Sequence, residues 1–144
     1  MSIKKQEFYE GAALHQIACG CTVAHIRHEP PFFRLNESLL VLMKYSTKKR
    51  SPWGFTFAQA EQILLRAKAR ECGVVIGLIC GADGVAALRY DSYVTIAAPS
   101  TSAIHIACYR RHGEHYEIKG PDGTIDGKVP PSRWKGILMR EDVA

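Results

Sequence analysis

Two apolar runs, LLVLM at 39–43 and VVIGLIC at 74–80, most constrain what this chain can fold into. Neither alternates apolar with polar residues as a half-wetted strand does. Each therefore reads as a strand covered on both faces, one over Leu39–Ser46 and the other over Val74–Cys80. Between them, Phe57 to Glu71 has helical spacing. Phe57, Ala60, Ile63, Leu64 and Ala67 fall on one side, and Gln59, Gln62, Arg66, Lys68 and Arg70 largely on the other. Thr56 stands where a cap belongs and Gly73 where the helix ends. Both strands thus belong to one central sheet with helices packed on it.

The flanking segments add a helix before this unit and strands after it. Ser2 to Ala18 repeats Phe8, Ala12, Leu14 (or Ala13) and Ile17 at helical spacing, with Glu7 and Glu10 in the early turns and Gly20 as a stop. TVAHIR at 22–27 alternates as a strand. Pro30-Pro31 interrupts it, Phe32–Leu35 forms a second short strand, and Asn36-Glu37 turns into the third. Pro52 and Gly54 break the pattern after Ser46. Gly81–Gly84 is a hairpin turn into Val85–Arg89, and 104–109 with 115–119 makes a further hairpin around Arg111–Glu114. Pro121-Asp122-Gly123 is another turn, and Pro130-Pro131-Ser132 opens a short helix through RWKGIL. The expected fold is one α/β (α+β) domain over 1–144: a mixed central sheet flanked by helices, in αβββαβ order, followed by a C-terminal β-hairpin region.

With 144 residues the chain is long enough to bury a core without staples. No apolar run approaches the roughly 20 residues of a membrane span, so no membrane partner is expected. MSIKKQEFYE carries glutamates where a signal peptide would be apolar, and the expected location is cytoplasmic. Cys19, Cys21, Cys72, Cys80 and Cys108 are odd in number, which suits reduced thiols better than a disulfide framework.

The formal charge of +5 is uneven: residues 1–72 hold 11 Lys/Arg against 6 Asp/Glu, and residues 73–144 hold 8 against 8. Within 44–70 seven cations face only Glu61. Such a segment favours an anionic partner, either nucleic acid or an acidic protein, and otherwise is a solvated cationic face. Lys44 lies inside an apolar strand, where an unpaired ammonium is costly, so it has a partner or a task. On a strand Lys44, Ser46 and Lys48 point the same way, and their donors complement phosphate oxygens. Together with Lys49, Arg50 and Arg66 they form the candidate anion site. Tyr45 and Trp53 are candidate faces for base stacking, worth roughly 1–3 kcal/mol each if used. The competing reading pairs Lys44 with a helix glutamate such as Glu10 and buries Trp53, Phe55 and Phe57 as loop anchors.

Other clusters are weaker. Cys19-x-Cys21 with His25-x-x-His28 has ligand types for zinc but poor spacing, since strand geometry turns His25 and His28 to opposite sides, so no metal is expected there. Arg110 to His115 at a hairpin tip contains groups able to move protons, though polar turns are usually only solvated. Cys80 and His105 are a nucleophile and a base with nothing to bring them together. No phosphate-loop, nucleophile-elbow or metalloprotease signature occurs.

In element order, residues 5–81 resemble the PD-(D/E)XK, or restriction-endonuclease-like, nuclease fold. Glu7 or Glu10 matches the acid of that family's first helix, and Lys44 falls on the third strand as the family's lysine does. The position two before Lys44 holds Leu42, and the second strand, FFRL, is only flanked by Glu29 and Glu37. The resemblance implies Mg²⁺ as cofactor and hydrolysis of nucleic acid, with Glu10 and Lys44 as candidate catalytic residues. The chain also resembles the many small bacterial proteins that have no assigned role. A metal-dependent hydrolase with acids displaced to Glu10, Glu29 or Glu37 stands beside that reading. The two leading expectations are a nucleic-acid-interacting domain built on 44–70 and a protein-interaction or small-ligand module without catalysis.

Overall fold

The computed structural model describes residues 2–138. Its elements in chain order are α1 (Lys5–Gly20), β1 (Ile26–Glu29), β2 (Phe32–Leu35), β3 (Leu39–Ser46), β4 (Trp53–Phe57), α2 (Gln59–Ala69) and β5 (Gly73–Cys80). There follow β6 (Gly84–Arg89), α3 (Tyr90–Ile96), β7 (Ile104–Tyr109), β8 (Glu117–Gly120), β9 (Gly123–Thr124) and a 3₁₀ turn, Pro131–Gly136. The result is an α+β fold with two sheets.

The first sheet has the order β1-β2-β3-β5-β6. Its first three strands form an antiparallel meander; β3 and β5 run parallel, with Lys44 beside Leu78 and Ser46 beside Cys80, and β6 returns antiparallel. The two apolar runs therefore lie in the sheet interior, as doubly buried strands must. The second sheet is antiparallel, in the order β4-β7-β8-β9.

Each face of the first sheet covers its own core. Leu40, Leu42, Ile76, Leu78 and Cys80 meet the inner face of the second sheet (Trp53, Phe55, Phe57, Ile106, Cys108), together with Leu65 of α2 and Tyr93 of α3. Leu39, Val41, Met43, Val75 and Ile79 meet Ala13 and Ile17 of α1 and Trp134 and Ile137 near the C-terminus. Trp134 is fully buried and donates its indole N–H to the Ala13 carbonyl at 2.9 Å. Its ring lies where a Cβ on Gly77 would be, so only glycine fits there.

Four local expectations change. WGFTF is a strand, not a loop running into a helix: Trp53, Phe55 and Phe57 are buried while Gly54 and Thr56 are exposed, a period of two. Helix α2 consequently starts at Gln59 rather than Phe57, and Thr56 does not cap it; its hydroxyl lies 3.0 Å from His105 Nδ1 across the β4–β7 ladder. The first strand is Ile26–Glu29 instead of 22–27, because the Asn36 side chain accepts the Ala24 and His25 N–H groups and holds 22–25 as irregular chain. Finally, Tyr90–Ile96 forms α3, which no periodicity announced.

Candidate functional site

Strand alternation sends Lys44 of β3 toward α2 and Tyr45 toward α1. The Lys44 ammonium lies 2.9 and 2.8 Å from the two carboxylate oxygens of Glu61 and 5.1 Å from the Phe57 ring centroid. One of those oxygens also accepts the Ala58 N–H at 3.1 Å, at the first turn of α2, where the helix dipole favours an anion. The partner of Lys44 is thus Glu61, a helix glutamate as expected but not Glu10. Glu10 accepts a hydrogen bond from Gln6 one turn earlier on α1. Tyr45 stacks on Tyr9, with ring centroids 4.8 Å apart. The Lys44–Glu61 pair lines a cleft of about 430 Å³ with Gln6, Pro31, Phe55 and Thr56.

This neighbourhood does not fit the Mg²⁺ site that the nuclease resemblance implies. Leu42, at the position of the missing acid, is buried in the core. Among the described residues Glu61 is the one carboxylate bonded to Lys44, and it also accepts the Ala58 N–H. Glu29 accepts hydrogen bonds from both Arg34 and Arg27, and Glu37 from Arg27. The Arg34 guanidinium, with help from Arg27, holds the Glu29 carboxyl down to about 2 against the opposing effect of desolvation. The cysteine–histidine cluster is likewise dispersed. Cys19 faces His15 at 3.6 Å, the Cys21 thiol points at the Ile17 and Lys135 carbonyls, and His28 stacks on Phe33. Among the described residues no three His, Cys, Asp or Glu side chains stand where one metal ion could be held.

The basic turn after β3 is built differently. The Ser46 carbonyl accepts the Gly81 N–H, its hydroxyl accepts the Lys48 N–H, and the Lys48 carbonyl accepts the Trp53 indole N–H at 2.9 Å. Backbone and indole pin the loop, while the side chains of Lys48, Lys49 and Arg50 remain exposed and make no ion pair among the described residues. Trp53 is 2 % exposed and meets Tyr116 edge-on, so it anchors the turn and offers no face to a base. That corrects its place in the expected site.

The fold also brings a second basic segment to this turn. The Ser51 hydroxyl accepts the Arg110 N–H at 3.1 Å, joining positions 59 apart in sequence. Arg110 reaches the Asp83 carboxylate at 2.8 Å and the Glu114 carbonyl at 2.7 Å, and lies over the Tyr116 ring. Tyr116 donates to the same Asp83 oxygen; burial, then this bond, push its hydroxyl well above the usual tyrosine range. Arg111, His112 and His115 are exposed beside this brace, and Lys128 pairs with Glu114. A hollow of about 330 Å³ runs among Ser51, Tyr109, Arg111 and His115.

The segment 44–70 is therefore not one surface. Lys44 is paired, and Arg66 lies in a separate hollow with Gln59, Ile63 and Pro99. Lys68 pairs with Glu71. Lys48, Lys49 and Arg50 group instead with Arg110 and Arg111. In sequence the 110–115 tip stands apart as a polar turn of its own. The signal that joins the two is the β4–β7 register, Trp53 opposite Cys108, and that pairing depends on recognising WGFTF as a strand.

No family model, curated protein or solved structure matches this chain. No helix among the described residues is long and apolar enough to cross a membrane.

Proposed function

We propose that this protein binds nucleic acid, with Lys48, Lys49 and Arg50 as the phosphate-binding cations and the segment of Arg110 and Arg111 lining the adjoining hollow. The observation that carries the reading is the Ser51–Arg110 hydrogen bond, which sets two basic segments side by side on a turn held by its own backbone. Exposed, unpaired cations release the counterions condensed on a phosphate chain when they bind it. A turn already fixed before binding loses little conformational freedom in doing so. Lys44 belongs to a separate strand–helix clasp with Glu61. Arg66 also falls outside the proposed surface.

Anisotropy of labelled single- and double-stranded oligonucleotides, titrated across a salt series, tests the reading. Affinity is expected to fall with a log–log slope of roughly −0.7 to −0.9 per phosphate neutralised. Replacing Lys48, Lys49 and Arg50 with Ala should flatten that slope and leave the melting temperature in place, because solvated turn charges contribute little to stability. Absence of salt-dependent binding to either form transfers the surface to an acidic protein partner.

A further inference from the structure

We infer that the ligand of this surface is single-stranded nucleic acid, with Tyr109 as the face on which one base stacks. The inference rests on the nucleic-acid reading above and specifies its substrate class. Alternation along β7 turns Ile104, Ile106 and Cys108 into the core and His105 and Tyr109 outward. Tyr109 is 38 % exposed and lines the 330 Å³ hollow beside the basic turn. Of the two aromatic side chains the sequence offers for stacking, Trp53 is buried, and Tyr45, though 36 % exposed, has one face on Tyr9 and lines the separate cleft of Lys44.

The charge layout separates a place for a base from a place for phosphates. Inside the hollow, Lys128 is paired with Glu114 and Arg110 with Asp83, Arg111 acts electrostatically on Glu114, and Glu117, the cross-strand neighbour of Tyr109, adds a further carboxylate. The hollow is thus charge-balanced and polar, which suits a neutral heterocycle and not a phosphate. Ser51 lines the hollow, and in the turn that leads into it Lys48, Lys49 and Arg50 carry the exposed positive charge that a backbone needs. A ring can reach a base face only where bases are unstacked, so a duplex, which shows base edges in its grooves, would engage the turn alone.

The test uses the intact protein with a labelled pyrimidine single strand and a duplex of equal length, read by anisotropy. The single strand is expected to bind more tightly. Tyr109→Ala should weaken single-strand binding by about 5- to 150-fold, the span that one stacked base contributes, with the salt slope unchanged. Tyr109→Phe should retain affinity, since the ring and not the hydroxyl stacks. Circular dichroism melts confirm that both variants are folded. Equal affinity for duplex and indifference to Tyr109→Ala, with the salt slope still responding to the Lys48, Lys49 and Arg50 replacements, overturns the single-strand inference and leaves the nucleic-acid reading intact. Loss of all oligonucleotide binding in the parent protein overturns both.

Discussion

Glu61 places both of its carboxylate oxygens on the Lys44 ammonium, clasping the start of α2 to the middle of the first sheet. The side chains are 21 % and 28 % exposed for Lys44 and Glu61 respectively. Water therefore screens the pair in part, and its loss costs less than the roughly 3–5 kcal/mol of a fully buried pair broken on one side. Lys44→Ala should destabilise by about 1–2 kcal/mol in chemical denaturation, from the stranded carboxylate and the lost contact with Phe57. Lys44→Met combined with Glu61→Gln should recover part of that, since no unpaired charge remains and the amide oxygen can still accept the Ala58 N–H. An unmoved denaturation midpoint for Lys44→Ala would remove the clasp from this account.

Tyr93 supplies a second test. Its ring packs against Phe57 and Tyr90, yet its hydroxyl is buried with no hydrogen-bond partner among the described residues. Tyr93→Phe should raise stability by about 1 kcal/mol, since an unsatisfied buried donor is removed with no change of shape. The same substitution should alter the alkaline limb. Burial pushes this hydroxyl from 10 up to about 12, so the unfolded chain gives up its proton first as pH rises. Stability is then complete below pH 10 and declines toward pH 12; in the Phe variant that decline should be shallower. Melting temperatures across this range decide it.

Acid acts through Glu29. Its folded carboxyl titrates near 2 and its unfolded one near 4.5, so its contribution is complete above 4.5 and disappears as pH falls through 2. Glu29→Gln should flatten this part of the acid unfolding curve. A curve of unchanged steepness would place the acid sensitivity elsewhere.

Gly81 ties stability to binding. Its φ is +56°, and a Cβ there would collide with the Lys48 carbonyl oxygen. Gly81→Ala should cost about 1–3 kcal/mol and displace the basic turn. Oligonucleotide affinity should fall although every cation is retained, a combination that denaturant melts and anisotropy together would reveal.

The strands at 39–46 and 74–80 were legible because double burial leaves an unbroken apolar run, which needs no knowledge of partners. The strand WGFTF was not. Its Pro52 and Gly54 carry local turn signals, and its evidence is three aromatics two apart that only become an inner face once β7 pairs with it. The choice of Glu61 over Glu10 as the partner of Lys44 depends on where α2 begins, and that in turn depends on β4. The basic turn was visible as charge, whereas its neighbour Arg110 was hidden behind a chain separation of 59 residues. Local chemistry is written locally; adjacency is decided by the register of strands far apart in sequence.

Trp134 has a consequence for how the two cores breathe. It fills the gap between α1 and the first sheet and donates its indole N–H to a carbonyl of α1 across 121 residues. The helix is thus seated by a side chain distant in sequence, while the core against the second sheet does not include that side chain. Trp134→Ala should let the α1 amides exchange with solvent faster than those of β7, which belongs to the other core. Equal loss of protection in α1 and β7 would make the two cores one cooperative unit.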